Sequence, residues 1–532
     1  MTRKGRLLRL ALASAVALAA AQAPARGAEA LPLYGGDVRA LVFAPSDPDR
    51  AFAGTAAGQL YRSDDGGASW REAGAVVPFP DWVVSALAFD PEREGRLWAG
   101  LRGVWSGGGV AFSDDAGASW RWRTSDELAA EAVHALVPVR GAPDRLLAGT
   151  RGGVWRSDDA GRTWRKLTAH VAELEQVASL AIDEANPDQI LAGTWRRAYR
   201  SRDGGATWAG VFDGMMLDTE VFRLSATSWA PGSVWAATCG WIYRGERFGE
   251  SWTRLARGLA ERRTRALALL APERVLVGTI DGAYLSVDGG ASFRRAADPG
   301  LSIVALAHHP ARPDRVLAAT DGAGIWRSLD GGASFAAASH GLAALRVPAA
   351  VESGGRLYAA VPWAGPLSGV YRSDAGGVAF ERLGARLATP LGLAVAEGRL
   401  FVSTGERLLV WEAGEWRRLA GGEGGRVGAP RATPAGFVVA IDGRTHEWRA
   451  GRLELAPAPR EVAVASRPEP ASAPELPPGS ILATLSWNGR RVLATAGFGL
   501  RMAPPVAGEP ASVALEALED PQVGREALGR DR

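Results

Sequence analysis

One cysteine, Cys239, stands in 532 residues. That excludes an internal disulfide, and the residue reads as a small buried apolar side chain rather than a reactive thiol. Beyond the first thirty residues no apolar run approaches the ~20 residues that cross a bilayer as a helix. Amphipathic segments of about 10–15 residues are also missing, which removes helical repeats and bundles. The chain has no Cys/His ligand spacing, no phosphate-binding loop or dinucleotide fingerprint and no nucleophile elbow. No metal and no cofactor is therefore expected. His308 and His309 fall where other parts of the chain carry Asp-Pro or Asn-Pro strings, so they read as a surface turn.

What is present begins with residues 1–30. A basic start (Arg3, Lys4, Arg6, Arg9), an apolar run from Leu10 to Ala21 and a small-x-small site at Ala28-Glu29-Ala30 have the build of a secretory signal peptide, with cleavage expected before Leu31. The expected location is periplasmic or secreted, with no stable membrane insertion after cleavage. This segment holds five basic residues and one acid, so the formal +3 of the whole chain leaves the remainder near −1. Nucleic acid is thereby excluded as a partner suggested by charge.

The octapeptide SDDGGASW at 63–70 returns as SDDAGASW, SDDAGRTW, SRDGGATW, SVDGGASF and SLDGGASF, starting at Ser113, Ser157, Ser201, Ser286 and Ser328. Worn copies start at Gly245 and Ser373, and successive starts lie 50, 44, 44, 44, 41, 42 and 45 residues apart. Such a period signals a repeat architecture. Each period reads as four short strands, as in VASLAI, ILAGT, AYRS and TWAGVF between residues 177 and 212. Four strands per repeat of this length is the period of a propeller blade.

The octapeptide falls between the third and fourth strands and so reads as a hairpin turn. Its glycines supply the positive φ of such a turn. Asp65, Asp115, Asp159, Asp203, Asp288 and Asp330 accept local N–H groups and tie the turn shut. The terminal Trp or Phe buries a ring between neighbouring blades. A calcium loop would need a late bidentate glutamate, and SDDGGASW has none.

These residues resemble the Asp-box (BNR) repeat of sialidases, two-propeller xyloglucanases, sortilin-type receptors and the photosystem II stability/assembly factors, closest in style to the last two. The resemblance covers residues 31–420 well and 421–503 faintly. It implies an all-β fold, a β-propeller of four-stranded antiparallel blades with one Asp-box hairpin per blade, over residues 31–503. Residues 457–480 are a Pro/Ala-rich insert, and 504–532 read as a flexible tail or frayed helix. The strand count favours a single ring of about ten blades, closed by LPLY (31–34) as a missing outer strand. The other arrangement is a seven-bladed ring over about 31–340 followed by a smaller β-domain.

In these families the boxes lie opposite the functional face. The loops joining second to third strands, and each fourth strand to the next blade, then form the candidate surface. They are rich in arginine and aromatics: Phe79, Trp82, Arg102, Trp105, Arg151, Trp195, Arg196, Arg197, Trp241, Arg262, Arg263 and Trp363. Arginine and tryptophan dominate interface hot spots, and arginine's planar fork suits carboxylates and phosphates. The reading is a non-enzymatic exported propeller binding a protein or peptide, as an assembly or stability factor for an envelope complex.

Its rival is a secreted glycoside hydrolase acting on a glycan. A sialidase would need a spare tyrosine, but Tyr61, Tyr199, Tyr243, Tyr284 and Tyr371 share one third-strand position. A xyloglucanase-like pair of carboxylates points to Asp281 and Asp321, in equivalent loops, with Asp213, Asp218 and Glu220 crowding another.

Overall fold

Alternation of small apolar residues with short turns gives strands and almost no helix. The computed structural model describes residues 29–73, 82–103, 107–171, 173–216, 219–227, 229–255, 258–259, 263–296, 301–456, 476, 480–503 and 516–517. The expectations placed on the leader before Glu29, on most of the 457–480 insert and on Phe79, Trp105, Asp218 and Arg262 lie outside these residues.

Seven four-stranded antiparallel sheets follow one another over residues 38–72, 82–122, 133–166, 177–210, 221–255, 264–295 and 303–337. We number them blades 1 to 7. In each, the strands lie in chain order from first to fourth. Every neighbouring pair shares one buried cluster, such as Leu191, Val211 and Val221 with Tyr243 and Trp252 between blades 4 and 5. A blade cannot bury its two faces alone, so its stability comes from its neighbours.

The ring closes at seven, which corrects the single ring of about ten blades. Blade 7 is covered by blade 1: Leu317, Ala319 and Ile325 pack with Val38, Phe43, Tyr61 and Trp70. Trp70 Nε1 donates to the Ala338 carbonyl at 2.9 Å, and the Arg315 side chain pairs with Asp49. His309, which sequence placed in a surface turn, is buried at this seam, with Nε2 3.1 Å from the Pro45 carbonyl and its ring edge-on to Phe43. With blade 1 occupying that face, no later sheet can enter the ring.

The remaining strands form a second unit of four sheets: 349–382, 392–421, 431–455, and 481–502 with Glu29–Ala30. Shared clusters join the 481–502 sheet to 349–382, that sheet to 392–421, and the latter to 431–455. The strand completing the last sheet is Glu29–Ala30, paired antiparallel with Arg501 and Met502, rather than LPLY. Leu31 and Leu33 are buried in the adjacent core instead. In the tail, Glu516–Ala517 pairs with Ala483 and Thr484 as strand rather than helix.

Chain entry and exit bind the two units together. Gly35–Gly36 runs parallel to Ala343–Ala344, and Gly36 packs so closely that a Cβ there would lie 2.4 Å from the Ala344 carbonyl oxygen. The Arg501 side chain pairs with Glu72, and Leu367 packs into the cores of both units.

Candidate functional site

The octapeptides fix the rear face first. Asp203 accepts the Thr207 N–H at 2.8 Å, the Thr207 hydroxyl at 2.6 Å and the Ser201 hydroxyl at 2.8 Å. Asp65, Asp115, Asp159, Asp288 and Asp330 make the same set with their own Ser or Thr partners. These bonds hold Asp203, Asp288 and Asp330 ionised, with pKa values pulled down to about 2, although burial opposes the shift at Asp330. Their acceptor capacity is spent on the turn.

The last glycine of the octapeptide meets the preceding blade. A Cβ on Gly67 would lie 2.4 Å from Leu317, and one on Gly205 2.4 Å from Leu167. Two copies put alanine at the first of the glycine positions, Ala116 at φ 55° and Ala160 at φ 59°, so glycine there is favoured rather than required. The terminal tryptophan crosses to the neighbouring blade or its connecting segment at Trp70, Trp164 and Trp252, bonding Ala338, Arg123 and Val211 carbonyls. Trp120 and Trp208 bond carbonyls of their own turns at 3.2 Å.

The opposite face is organised by a feature that repeats in all seven blades. Each first strand breaks register near its start, one residue inside it in six blades and three inside it in blade 2, leaving Arg39, Ser85, His134, Ala178, Phe222, Arg265 and Val304 unpaired. A β-bulge re-aims the extra side chain. Here the bulged strand is the innermost of its blade, so the break lies at the mouth of the central channel, while the Ser85 hydroxyl turns to the Gly100 and Val133 carbonyls.

Charges meet at that mouth. Arg39 Nη2 bonds both the Asp37 carboxylate and Asp321 Oδ1, the latter at 3.0 Å, and Arg265 reaches Asp321 at 3.8 Å. Burial raises the Asp37 pKa and neighbouring Asp321 adds to the rise, against the pull of Arg39. Burial also works to lower Arg39, but Asp37 and Asp321 outweigh it and its pKa is raised. Arg102 lies within electrostatic reach of Arg39 and Asp37; desolvation and then Arg39 push it down. Desolvation, helped by Arg102, takes His134 down to about 4, so it is neutral at pH 7. Arg223 sits at the position where the other six blades have Ala40, Ala86, Ala135, Ser179, Ala266 and Ala305. The Arg223 side chain is exposed, and its pKa is lowered by desolvation.

The residues singled out by sequence are divided among three settings. Trp195, Arg196 and Arg151 are exposed, Trp195 by 51% and the second unit's Trp363 by 54%. Others are stacked: Arg197 over Phe212 at 4.8 Å, Arg254 over Trp241 at 4.3 Å, Arg346 over Trp363 at 5.6 Å, and Trp82 edge-on to Trp122. Arg263 is half-buried just before the first strand of blade 6. Only Arg102 belongs to the channel mouth. Cys239, expected to be buried, is exposed in the loop between the second and third strands of blade 5.

The two candidate acids are each held by arginine. Asp281 accepts from the Thr279 hydroxyl at 2.7 Å and pairs with Arg295 at 3.5 Å, while Asp321 lies between Arg39 and Arg265. Sequence reasoning missed Asp37, Arg39, Arg223 and Arg265. Aligning the seven first-strand starts exposes them, because a charged residue beside an opening that is apolar in six blades and Thr264 in the other is out of place in a strand edge packed between blades.

No family model matches the sequence, and no curated protein matches it. Among solved structures the chain is similar to the GH74 xyloglucanase of Xanthomonas campestris, with TM-score 0.56 and 17% identity over 90% of this chain and 99% of that one. It is also similar to the GH74 enzyme of Niastella koreensis, with TM-score 0.58 and 15% identity over the same shares. PorZ, a surface component of the type-IX secretion system of Porphyromonas gingivalis, gives TM-score 0.49 and 15% identity over 77% of this chain and 57% of that one. At these identities the likeness is one of fold. The chain is a β-propeller protein built of many four-stranded antiparallel blades.

Proposed function

We propose that this chain is an exported, non-enzymatic β-propeller that binds a protein or peptide partner through the loop face opposite the octapeptide turns. Its role is that of an assembly or stability factor for a complex of the cell envelope. The observation that carries the reading is the large side chains, two of them tryptophans, uncovered on that face; Trp229, Val287, Leu329 and Val378 are uncovered on the octapeptide face. Trp195, Met216, Ile280 and Trp363 are 51%, 53%, 42% and 54% exposed, all on loops of the two sets that form this face. Single exposed apolar residues are ordinary, but aromatics and Met beside arginines give the composition of an interface core.

A glycan hydrolase is the second reading. One observation favours it: Asp37, with its raised pKa, and Asp321 share one nitrogen of Arg39. Two neighbouring carboxyls with unlike environments are the arrangement of an acid and its partner.

The sole cysteine supplies the test. Cys239 carries a benzophenone maleimide in one sample; in the other, Cys239→Ser with Glu94→Cys moves the photolabel to the rear face. Crosslinking of a discrete partner from envelope extract at position 239, and none at 94, is the expected result. Crosslinking confined to position 94 would refute the face assignment. Cleavage of xyloglucan or another glycan that vanishes in Asp37→Asn and Asp321→Asn would refute the non-enzymatic reading.

A further inference from the structure

In six of the seven blades a residue at the start of the first strand pairs with a buried threonine that ends the second, as Val177 does with Thr194 and Val221 with Thr238. Blade 2 has Leu101 opposite Val84 at the same place beside its bulge. The residue that follows is therefore equivalent all round the mouth. It is Arg102, Arg151, Trp195, Cys239, Ile280 and Asp321 in blades 2 to 7, and Ala56 in blade 1. Asp321 shows where these positions lie, because its carboxylate meets Arg39 at 3.0 Å.

The positions are sorted by chemistry. Trp195, Cys239 and Ile280 put uncharged, exposed side chains on three consecutive blades, whose first strands lie side by side. Exposed Met216, in the connection from blade 4 to blade 5, brings its N–H to the Tyr243 hydroxyl of blade 5 at 3.5 Å and adds a thioether beside the arc. At one end of the arc stand two exposed arginines, Arg151 on blade 3 and Arg196 next to Trp195. At the other end Asp321 is already paired with Arg39 and Arg265. The loops are pinned, since the Thr194, Thr238 and Thr279 hydroxyls each donate to a carbonyl of their own loop at 2.9 Å. Side chains presented on pinned loops lose little freedom on binding.

We propose that this arc binds an extended segment of a partner protein, seating its apolar side chains on Trp195, Cys239 and Ile280 and its neighbouring acidic side chains on Arg151 and Arg196. This rests on the partner-binding reading above and names the chemistry of the partner's segment.

Two arguments select that occupant. A loop that only reverses the chain favours polar residues and glycine, yet three successive blades carry no charge at this exposed corner. A contiguous uncovered strip of this kind marks a contact surface, and tryptophan with arginine is the composition of a hot spot. Charge then sets the direction. The cations at the Trp195 end are open to solvent, and a guanidinium fork matches a carboxylate, whereas the acid at the far end already has its counter-charges.

The test is selection of a displayed random dodecapeptide library on the full chain, followed by fluorescence anisotropy of the most enriched peptide, labelled and amidated. Enriched peptides are expected to place Asp or Glu beside aromatic or aliphatic residues. Trp195→Ser with Ile280→Ser lowers the affinity by about tenfold or more. Arg151→Glu with Arg196→Glu does the same, and selection repeated on that variant enriches Lys and Arg in place of the acids. Val287→Ser with Leu329→Ser, exposed on the octapeptide face, changes the affinity by less than about twofold. All six side chains are exposed, so the variants keep the fold, and thermal unfolding checks that they do. Failure to enrich any peptide, or enrichment without acids, overturns the proposal. So does unchanged affinity in the Trp195→Ser, Ile280→Ser variant, or displacement of the peptide by phosphatidylcholine–phosphatidylglycerol vesicles, which would make the occupant a lipid surface. Crosslinking of a discrete partner from position 239 that survives Arg151→Glu with Arg196→Glu separates the two ideas: the face would stand and the acidic segment would not.

Discussion

Removing the tryptophan that closes the ring provides the sharpest test of seven-blade closure. Trp70 is 4% exposed, sits in the cluster shared by blades 1 and 7, and donates Nε1–H to Ala338, 268 residues away. Trp70→Ala leaves a large cavity at the seam, a change that costs about 3–5 kcal/mol. Trp70→Phe keeps much of the apolar volume but strands the Ala338 carbonyl, for about 1–2 kcal/mol. With unfolding entropy of about 2.1 cal/mol/K per residue, a ring of roughly 300 residues loses about 1.5–2 °C of Tm per kcal/mol. The expected drops are then about 5–8 °C for Trp70→Ala and about 2–3 °C for Trp70→Phe. Trp120→Ala is the control, because Trp120 is half-buried and bonds its own turn. Its cost should stay near 1–2 kcal/mol. Thermal unfolding followed by circular dichroism and tryptophan fluorescence reads all three. Equal shifts for Trp70→Ala and Trp120→Ala would falsify closure between blades 1 and 7, since an open array has no reason to weight its first tryptophan.

Gly205→Ala forces a side chain onto a backbone at φ +95° and within 2.4 Å of Leu167. A loss of about 1–3 kcal/mol in urea unfolding is expected; if the contact matters, pairing it with Leu167→Ala makes the costs less than additive, and strict additivity would remove the packing argument. Acid lowers stability in two windows. His134 and His308, both lowered by desolvation to about 4 from 6.5, stay neutral in the fold while the unfolded chain takes up protons, so stability falls between pH 6.5 and 4. Asp203, Asp288 and Asp330, lowered to about 2 from 3.8, contribute fully above 3.8 and lose that contribution as pH falls to about 2. Tm measured against pH should flatten in the upper window for His134→Gln with His308→Gln, and an unchanged slope would exclude both groups. Cys239 should react with a thiol reagent in the native state at one equivalent per chain; labelling only after denaturation would contradict its exposure.

The turns were legible because their chemistry is local. Ser201, Asp203 and Thr207 lie within six residues, and the carboxylate finds its donors without help from the rest of the fold. The first strands begin at Val38, Trp82, Val133, Val177, Val221, Thr264 and Ile303, within a residue or so of where alternation puts them. Period and hairpin chemistry therefore dictated blades and their order along the chain.

The number of blades in the ring was decided elsewhere, by which sheet covers the free face of blade 7. Every blade has a similar face, so the sequence offers blade 1 and the 349–382 sheet as comparable candidates. Packing of Leu317 and Ile325 onto Val38 and Trp70 chose the first. The channel mouth is a product of the same closure. Arg39 and Asp321 are 282 residues apart, and only a ring joining blade 7 to blade 1 brings them to 3.0 Å. Local stereochemistry wrote the repeat into the chain, whereas the site depends on contacts between its two ends, which no short-range pattern encodes.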